Sequence, residues 1–250
     1  MSSGTAKSPI GGASSRRVNE RRSLSLISVK GVVKRENMLS AWKQVRANKG
    51  ACGIDGISIE KFPSYAHENW EGIKQSLLQG EYHPSPAKRV EIPKDSGGTR
   101  KLGIPIVMDR VIQQAITQVL TPVFDPHFSE SSFGFRAGRS AHQAVREVWK
   151  DIREGYHYAV DIDLEKFFDT VDHDALMSRV SRRVKDKGLL RLIGRYLRSG
   201  VVVNGRLNQT APPYRAQLGR IHATPVCLPP PLHSGMDELF RGRDEVQRRG

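Results

Sequence analysis

From Tyr158 to Leu164 the apolar side chains of Tyr158, Val160, Ile162 and Leu164 alternate with Ala159, Asp161 and Asp163, and the pattern runs directly into Phe167-Phe168. Successive side chains on a strand point to opposite faces. The segment is therefore a β-strand with one apolar face and two carboxylates on the other. Carboxylates at a strand end suit a hard cation such as Mg2+, which takes few protein oxygens and draws the rest from water or phosphate. One Asp here, with one or two from elsewhere, would make a two-metal phosphoryl-transfer site, and Asp163 is the better placed of the pair. The competing reading treats Asp161, Asp163, Asp169 and Asp172 as turn, cap or solvent-facing residues.

The rest of the chain mixes helical and strand periods. Met38, Leu39, Trp42 and Val45 recur at helical spacing, with a stop predicted near Asn48-Lys49-Gly50. A turn and a second helix are predicted over 54–79, with Trp70, Ile73, Leu77 and Leu78 on one face, before Pro84 and Pro86 interrupt the chain. Lys88–Pro93 and Arg100–Ile104 alternate on either side of Asp95-Ser96-Gly97-Gly98, which predicts a β-hairpin. Asp109 precedes an amphipathic helix that Pro122 is expected to end. Ser140 and Gln143 form a capping box ahead of Ala144, Val145, Val148, Trp149 and Ile152. Leu176, Val180 and Val184 stand four apart, a Leu-rich stretch follows, and Val201–Val203 with Asn204-Gly205 predicts a second hairpin. From Ala211 to Ser234 prolines are dense and neither period is legible. Helices mixed with hairpins, without regular strand-helix-strand units, predict an α+β fold.

Of 40 Lys and Arg residues 11 lie in residues 1–50, against 2 of the 26 Asp and Glu, so that stretch holds +9 of the formal +14. Such an arm neutralises phosphates in a salt-dependent way. A solvated tail over residues 1–23 and an organellar transit peptide are the other readings of the same composition. Two cysteines outside any CxxC or Cys/His spacing leave no disulfide framework and no zinc site, and predict a reducing, cytoplasmic setting. No apolar run approaches the length of a membrane span, so no membrane partner is expected. Lys94 and Arg100 flank the Gly-rich hairpin tip, where two cations are able to grip a triphosphate, although basic hairpin tips are more often simply solvated.

Four blocks then occur in order: NKGACGIDG (48–56), EIPKDSGGTRKLGIPIVMDRVIQQAI (91–116), SSFGFRAGRSAHQAV (131–145) and VDIDLEKFFDTVDHDALM (160–177). Over roughly residues 35–210 the chain resembles the bacterial group II intron reverse transcriptase/maturase family. The resemblance implies a right-hand polymerase, with fingers from the earlier blocks and a palm that begins at the Asp163 strand. It implies RNA-directed DNA synthesis with Mg2+, an RNA template or intron RNA, a DNA primer and dNTP. Asp163 resembles the first metal-binding catalytic aspartate, with the Leu164 carbonyl as a neighbouring ligand. Phe168 resembles the aromatic residue that disfavours a 2'-hydroxyl, and Lys94 and Arg100 resemble the residues that clamp the triphosphate. Phe135 and Arg136 resemble a block that contacts the template.

The pattern also departs from the family. Residues 211–234 show nothing of its Pro-Gln-Gly block, and the chain stops before the Tyr-Ala-Asp-Asp block that supplies further catalytic aspartates. The expected organisation is a basic disordered arm (1–34), a fingers-like region (35–155), the start of a palm (156–210) and a degenerate Pro-rich tail (211–250). A fragment truncated before the second aspartate block is expected to be inactive alone. A non-catalytic RNA-binding fragment and a decayed product that does not fold stably are the alternatives.

Overall fold

The computed structural model describes residues 27–93, 95, 97–156, 158–164, 167–203, 205–208 and 221–227. In chain order the elements are α1 (Val29–Val32), α2 (Arg35–Ala47), α3 (Phe62–Gln79), β1 (Ala87–Pro93), β2 (Thr99–Ile104), α4 (Val107–Phe124), α5 (Ala141–Arg153), β3 (Tyr158–Leu164), α6 (Phe167–Thr170), α7 (His173–Ser181), α8 (Lys187–Leu197), β4 (Val201–Val203), β5 (Arg206–Asn208) and β6 (Ile221–Cys227). Helix and sheet are mixed, as the α+β expectation requires. The chain divides into two compact units, Met1–His127 with Val171–Ala216 and Phe128–Thr170 with Gln217–Gly250. Among the described residues no helix is long and apolar enough to cross a membrane.

The first unit is built around α4. Its apolar residues Val107, Met108, Val111, Ile112, Ala115 and Ile116 fall on one helical face, and all of them are buried. Val32, Ala41, Phe62, Leu77, Val184 and Leu189 from the surrounding segments complete that core. Helix α2 ends at Asn48, with Lys49 in the left-handed region at φ 49°, where the sequence predicts the stop. Leu78 is the exception on the predicted face of α3: Leu77 is buried and Leu78 is exposed. Two adjacent residues sit about 100° apart on a helix, so only one of them points at the core centre.

Pro122 does not end α4, which continues to Phe124. Two residues from the helix end, proline removes a single ladder bond. Val119, Val123 and Phe124 pack against the core on either side of it and hold the last turn in place.

The sheet of this unit has the order β2-β1-β4-β5. Strand β1 runs antiparallel to β2, from Lys88 opposite Ile104 to Pro93 opposite Thr99, and parallel to β4, with Ala87 opposite Val201. The short hairpin β4–β5 turns at Gly205, whose φ of 77° suits the predicted Asn-Gly turn.

In the second unit Ser140 caps α5 through the expected box: its hydroxyl accepts from the Gln143 N–H, and the Gln143 side chain accepts from the Ser140 N–H. Strand β3 spans the predicted residues. On its apolar side Tyr158, Val160 and Ile162 are 79%, 63% and 60% exposed. A two-stranded sheet has no second layer of its own to bury that face. The partner of β3 is β6, paired antiparallel from Tyr158 opposite Cys227 to Leu164 opposite Ile221. A strand thus forms where the Pro-rich segment shows no legible period.

Candidate functional site

The hairpin β1–β2 presents a cationic surface in the first unit. Register places Arg100 opposite Ile92 and Lys101 opposite Glu91, and both cations are exposed. Gly97 and Gly98 turn the tip at φ 85° and 84°, a conformation that side chains disfavour. Lys94 lies outside the described residues.

The base of the hairpin is held by a buried polar cluster. The Asp109 carboxylate, with no exposed surface, accepts at Oδ1 from the Tyr82 hydroxyl (2.8 Å) and the Tyr196 hydroxyl (2.9 Å), and at Oδ2 from the Ser85 N–H (2.9 Å). Arg195 adds Nη1 bonds to the carbonyls of Gly80 (2.6 Å) and Tyr82 (2.8 Å). Together these contacts tie the segment leading into β1 to α4 and α8. Burial pushes the Asp109 carboxyl above its ordinary range, against the lowering effect of its three donors. Burial and then the Asp109 charge raise the Tyr82 and Tyr196 phenols, so both stay protonated and keep donating.

The glycine block at 48–56 packs against the start of α4. A Cβ on Gly53 would stand 2.6 Å from the Ile106 Cα, and one on Gly50 would stand 2.2 Å from Arg110 Nη1. Arg110 donates from Nη2 to the Ala51 carbonyl at 2.7 Å, and burial lowers the pKa of its guanidinium. These glycines let the loop approach α4 closely enough to be fastened there.

In the second unit Asp161 and Asp163 occupy β3 opposite Thr224 and His222, and Leu164 ends the strand. Helix α6 follows and leaves Phe168 87% exposed, its ring 5.4 Å from that of Phe167 in an edge-on arrangement. Phe135 and Arg136 lie on a loop whose arginines fold back onto it. Arg136 donates from Nη1 to the carbonyls of Ser129 (2.8 Å) and Ser132 (2.9 Å) and lies over the Phe128 ring, while Arg139 pairs with Glu130 and lies over Phe133. Phe135 sits at φ 57° with its side chain fully exposed. A phenylalanine in the left-handed region is strained, and exposure gives that strain no return in burial.

Asp163, Leu164 and Phe168 thus follow one another along β3 and α6, Phe135 and Arg136 share a loop of the same unit, and Arg100 belongs to the other unit. Two carboxylates on one strand do not amount to the ligand set of two Mg2+ ions, whose mutual repulsion calls for several anionic ligands. Among the described residues no group of three or more His, Cys, Asp or Glu gathers to hold a metal. The sequence reading missed the Asp109 cluster. Its signal was a lone acid beside the apolar stripe of α4, a position where burial forces a carboxylate to find donors.

A family model described as "Reverse transcriptase (RNA-dependent DNA polymerase)" matches residues 92–216, half of the chain. The chain is 34% identical over 160 residues to "Protein YkfC" of Escherichia coli K12, covering 62% of this chain and 42% of that protein. It is 33% identical over 171 residues to "Group II intron-encoded protein LtrA" of Lactococcus lactis subsp. cremoris, covering 68% of this chain and 28% of that protein. A solved "Partial Cas6-RT-Cas1--Cas2 complex" aligns at a TM-score of 0.47 and 21% identity over 72% of this chain and 29% of that one. With these sequence matches the chain belongs to the group II intron reverse transcriptase/maturase family. It spans less than half the length of the curated relatives it matches.

Proposed function

We propose that the chain supplies the nucleotide-gripping and template-contacting parts of an RNA-directed DNA polymerase that extends a DNA primer on an RNA template, with intron RNA as a partner. The observation that carries this reading is β3 running into α6, which sets an exposed Phe168 five residues beyond Asp163. By resemblance to the family's motif, Asp163 and the Leu164 carbonyl would hold Mg2+. The Phe168 ring is free to lie against a deoxyribose and to collide with a 2'-hydroxyl. Arg100, with Lys94, offers charge-assisted contacts to a triphosphate. Phe135 offers an aromatic face on which a template base stacks, and Arg136 holds the loop that presents it.

Primer extension on an RNA template tests the reading. The 250-residue chain by itself is expected to give no extension in Mg2+, because its sequence carries only the first of the family's aspartate blocks. Fused to the remaining palm of a relative, it is expected to extend the primer. That activity is expected to vanish in Asp163→Ala and to accept ribonucleotides in Phe168→Ala. Extension by the unfused chain that Asp163→Ala abolishes would overturn the first expectation. Unchanged sugar discrimination in Phe168→Ala would overturn the second.

A further inference from the structure

We propose that a cavity lined by α2, α3 and α4 in the first unit binds a small aromatic monoanion, a planar ring system bearing a single carboxylate or sulfonate. Trp42, Phe62 and Trp70 gather there with Met38 and Met108 around a volume of about 500 Å³. The cations Arg35 and Lys74 belong to the same lining, and among the described residues no carboxylate does.

Helical spacing assembles the lining. Met38 and Trp42 stand four apart on α2, and Phe62, Ala66, Trp70 and Lys74 stand four apart on α3, so each helix contributes one face. Phe62 and Met108 are core residues, 4% and 2% exposed, which fixes their part of the cavity. The Trp42 ring lies 4.7 Å from the Phe62 ring at 38°, so the core sets its position as well. Trp42 and Trp70 nevertheless remain only half-buried. The fold thus supports aromatic surface that it does not itself cover.

Size, ring chemistry and charge select the ligand. A mostly apolar cavity of this volume is of the kind that takes a small molecule, whereas a stable protein partner covers about 1,000 Å² or more. Indole and phenyl rings favour a further ring in offset or edge-on contact, and the Met38 and Met108 thioethers add sulfur–aromatic contacts. Lys74 donates from Nζ to the Glu71 carboxylate at 3.3 Å, so Arg35, Lys74 and Glu71 together leave one net positive charge. A single anionic group balances it. Glu71 is exposed, and an exposed ion pair holds weakly, which leaves Lys74 able to share a second anion. A triphosphate brings more negative charge than this lining offsets, so the ligand differs in class from the nucleotide assigned to the β1–β2 hairpin.

The experiment titrates the full chain with 8-anilinonaphthalene-1-sulfonate and with N-phenyl-1-naphthylamine, which has the same rings without the charge. Probe emission is excited through tryptophan in a Trp149→Phe background, where the remaining tryptophans are Trp42 and Trp70 of the cavity. Arg35→Gln/Lys74→Gln is expected to weaken the sulfonate roughly tenfold and to leave the neutral probe unchanged. Lys43→Gln/Arg46→Gln removes the same charge from exposed residues of α2 outside the lining and is expected to change neither. Ala66→Phe, which fills the cavity from α3, is expected to weaken both probes. Equal weakening of the sulfonate by the two charge variants, or undiminished binding of both probes to Ala66→Phe, would overturn the proposal. Photolabelling of the unmodified chain with an azidonaphthalene sulfonate decides the matter even if a variant misfolds. Labelled peptides from residues 35–42 or 62–74 support the site, and labelling confined to other segments overturns it. None of these readouts involves DNA synthesis, so failure of the polymerase reading and failure of this one are distinguishable.

Discussion

Asp109 shows what one residue does when burial and charge conflict. A buried carboxylate is costly unless donors surround it, and Tyr82, Tyr196 and Ser85 supply three. Asp109→Ala leaves those donors without their acceptor, and a stability loss of about 3 kcal/mol is expected in urea denaturation. The pH dependence has a definite sign. The folded carboxyl titrates above its unfolded value, so between the two pKa values the folded state binds more protons. The contribution of this group is fully present below its unfolded pKa and declines as pH rises through the raised folded one. Asp109→Asn removes the titration, so the stability of the wild type relative to that variant is expected to fall as pH rises out of the acid range. A difference that does not vary with pH would contradict the assignment. Arg136 makes a related point, because its bonds to the Ser129 and Ser132 carbonyls of its own loop are invisible in a sequence that shows only a resemblance to a template-contacting block.

At the scale of elements, packing is decided by where one segment approaches another. The 48–56 loop meets the first residues of α4 at Gly53, where a Cβ would stand 2.7 Å from the Ile106 backbone nitrogen as well as 2.6 Å from its Cα. Backbone cannot swing aside as a side chain does. Gly53→Ala is therefore expected to cost about 2 kcal/mol. Gly72, within α3, has nothing within 4 Å of its would-be Cβ. Gly72→Ala is expected to stabilise by up to about 1 kcal/mol through helix propensity and the unfolded chain. Thermal unfolding of the two variants should move in opposite directions, and a matching loss in both would contradict the packing described for the loop. Most element types were legible from periodicity, because the helical faces of α2 and α4 and the alternation of β1, β2 and β3 repeat over several turns or residue pairs. Helix α4 outran Pro122 because contacts around its last turn outweigh one lost hydrogen bond.

For the whole molecule, charge and core meet at the N-terminus. Val29, Val32 and Val33 belong to the core of the first unit, so a deletion that runs past Ile27 cuts into packed structure. Deleting residues 1–26 removes Lys7, Arg16, Arg17, Arg21 and Arg22, offset by Glu20. The deletion is expected to show a shallower salt dependence of RNA binding. Deleting residues 1–35 is expected to lower the melting temperature as well, since it strips α1 from the core. Equal melting temperatures for the two deletions would contradict the packing of α1. The sequence by itself determined the mixed helix and strand elements, the two hairpins, the position of the carboxylate strand and the family, because each rests on local periodicity or on contiguous motif residues. Tertiary structure alone decided that Asp109 is buried beneath the hairpin, that β6 pairs with β3, and that Trp42, Phe62, Trp70 and Met108 line one cavity. Those facts join residues far apart in the chain, and no local pattern encodes which distant segments pack together.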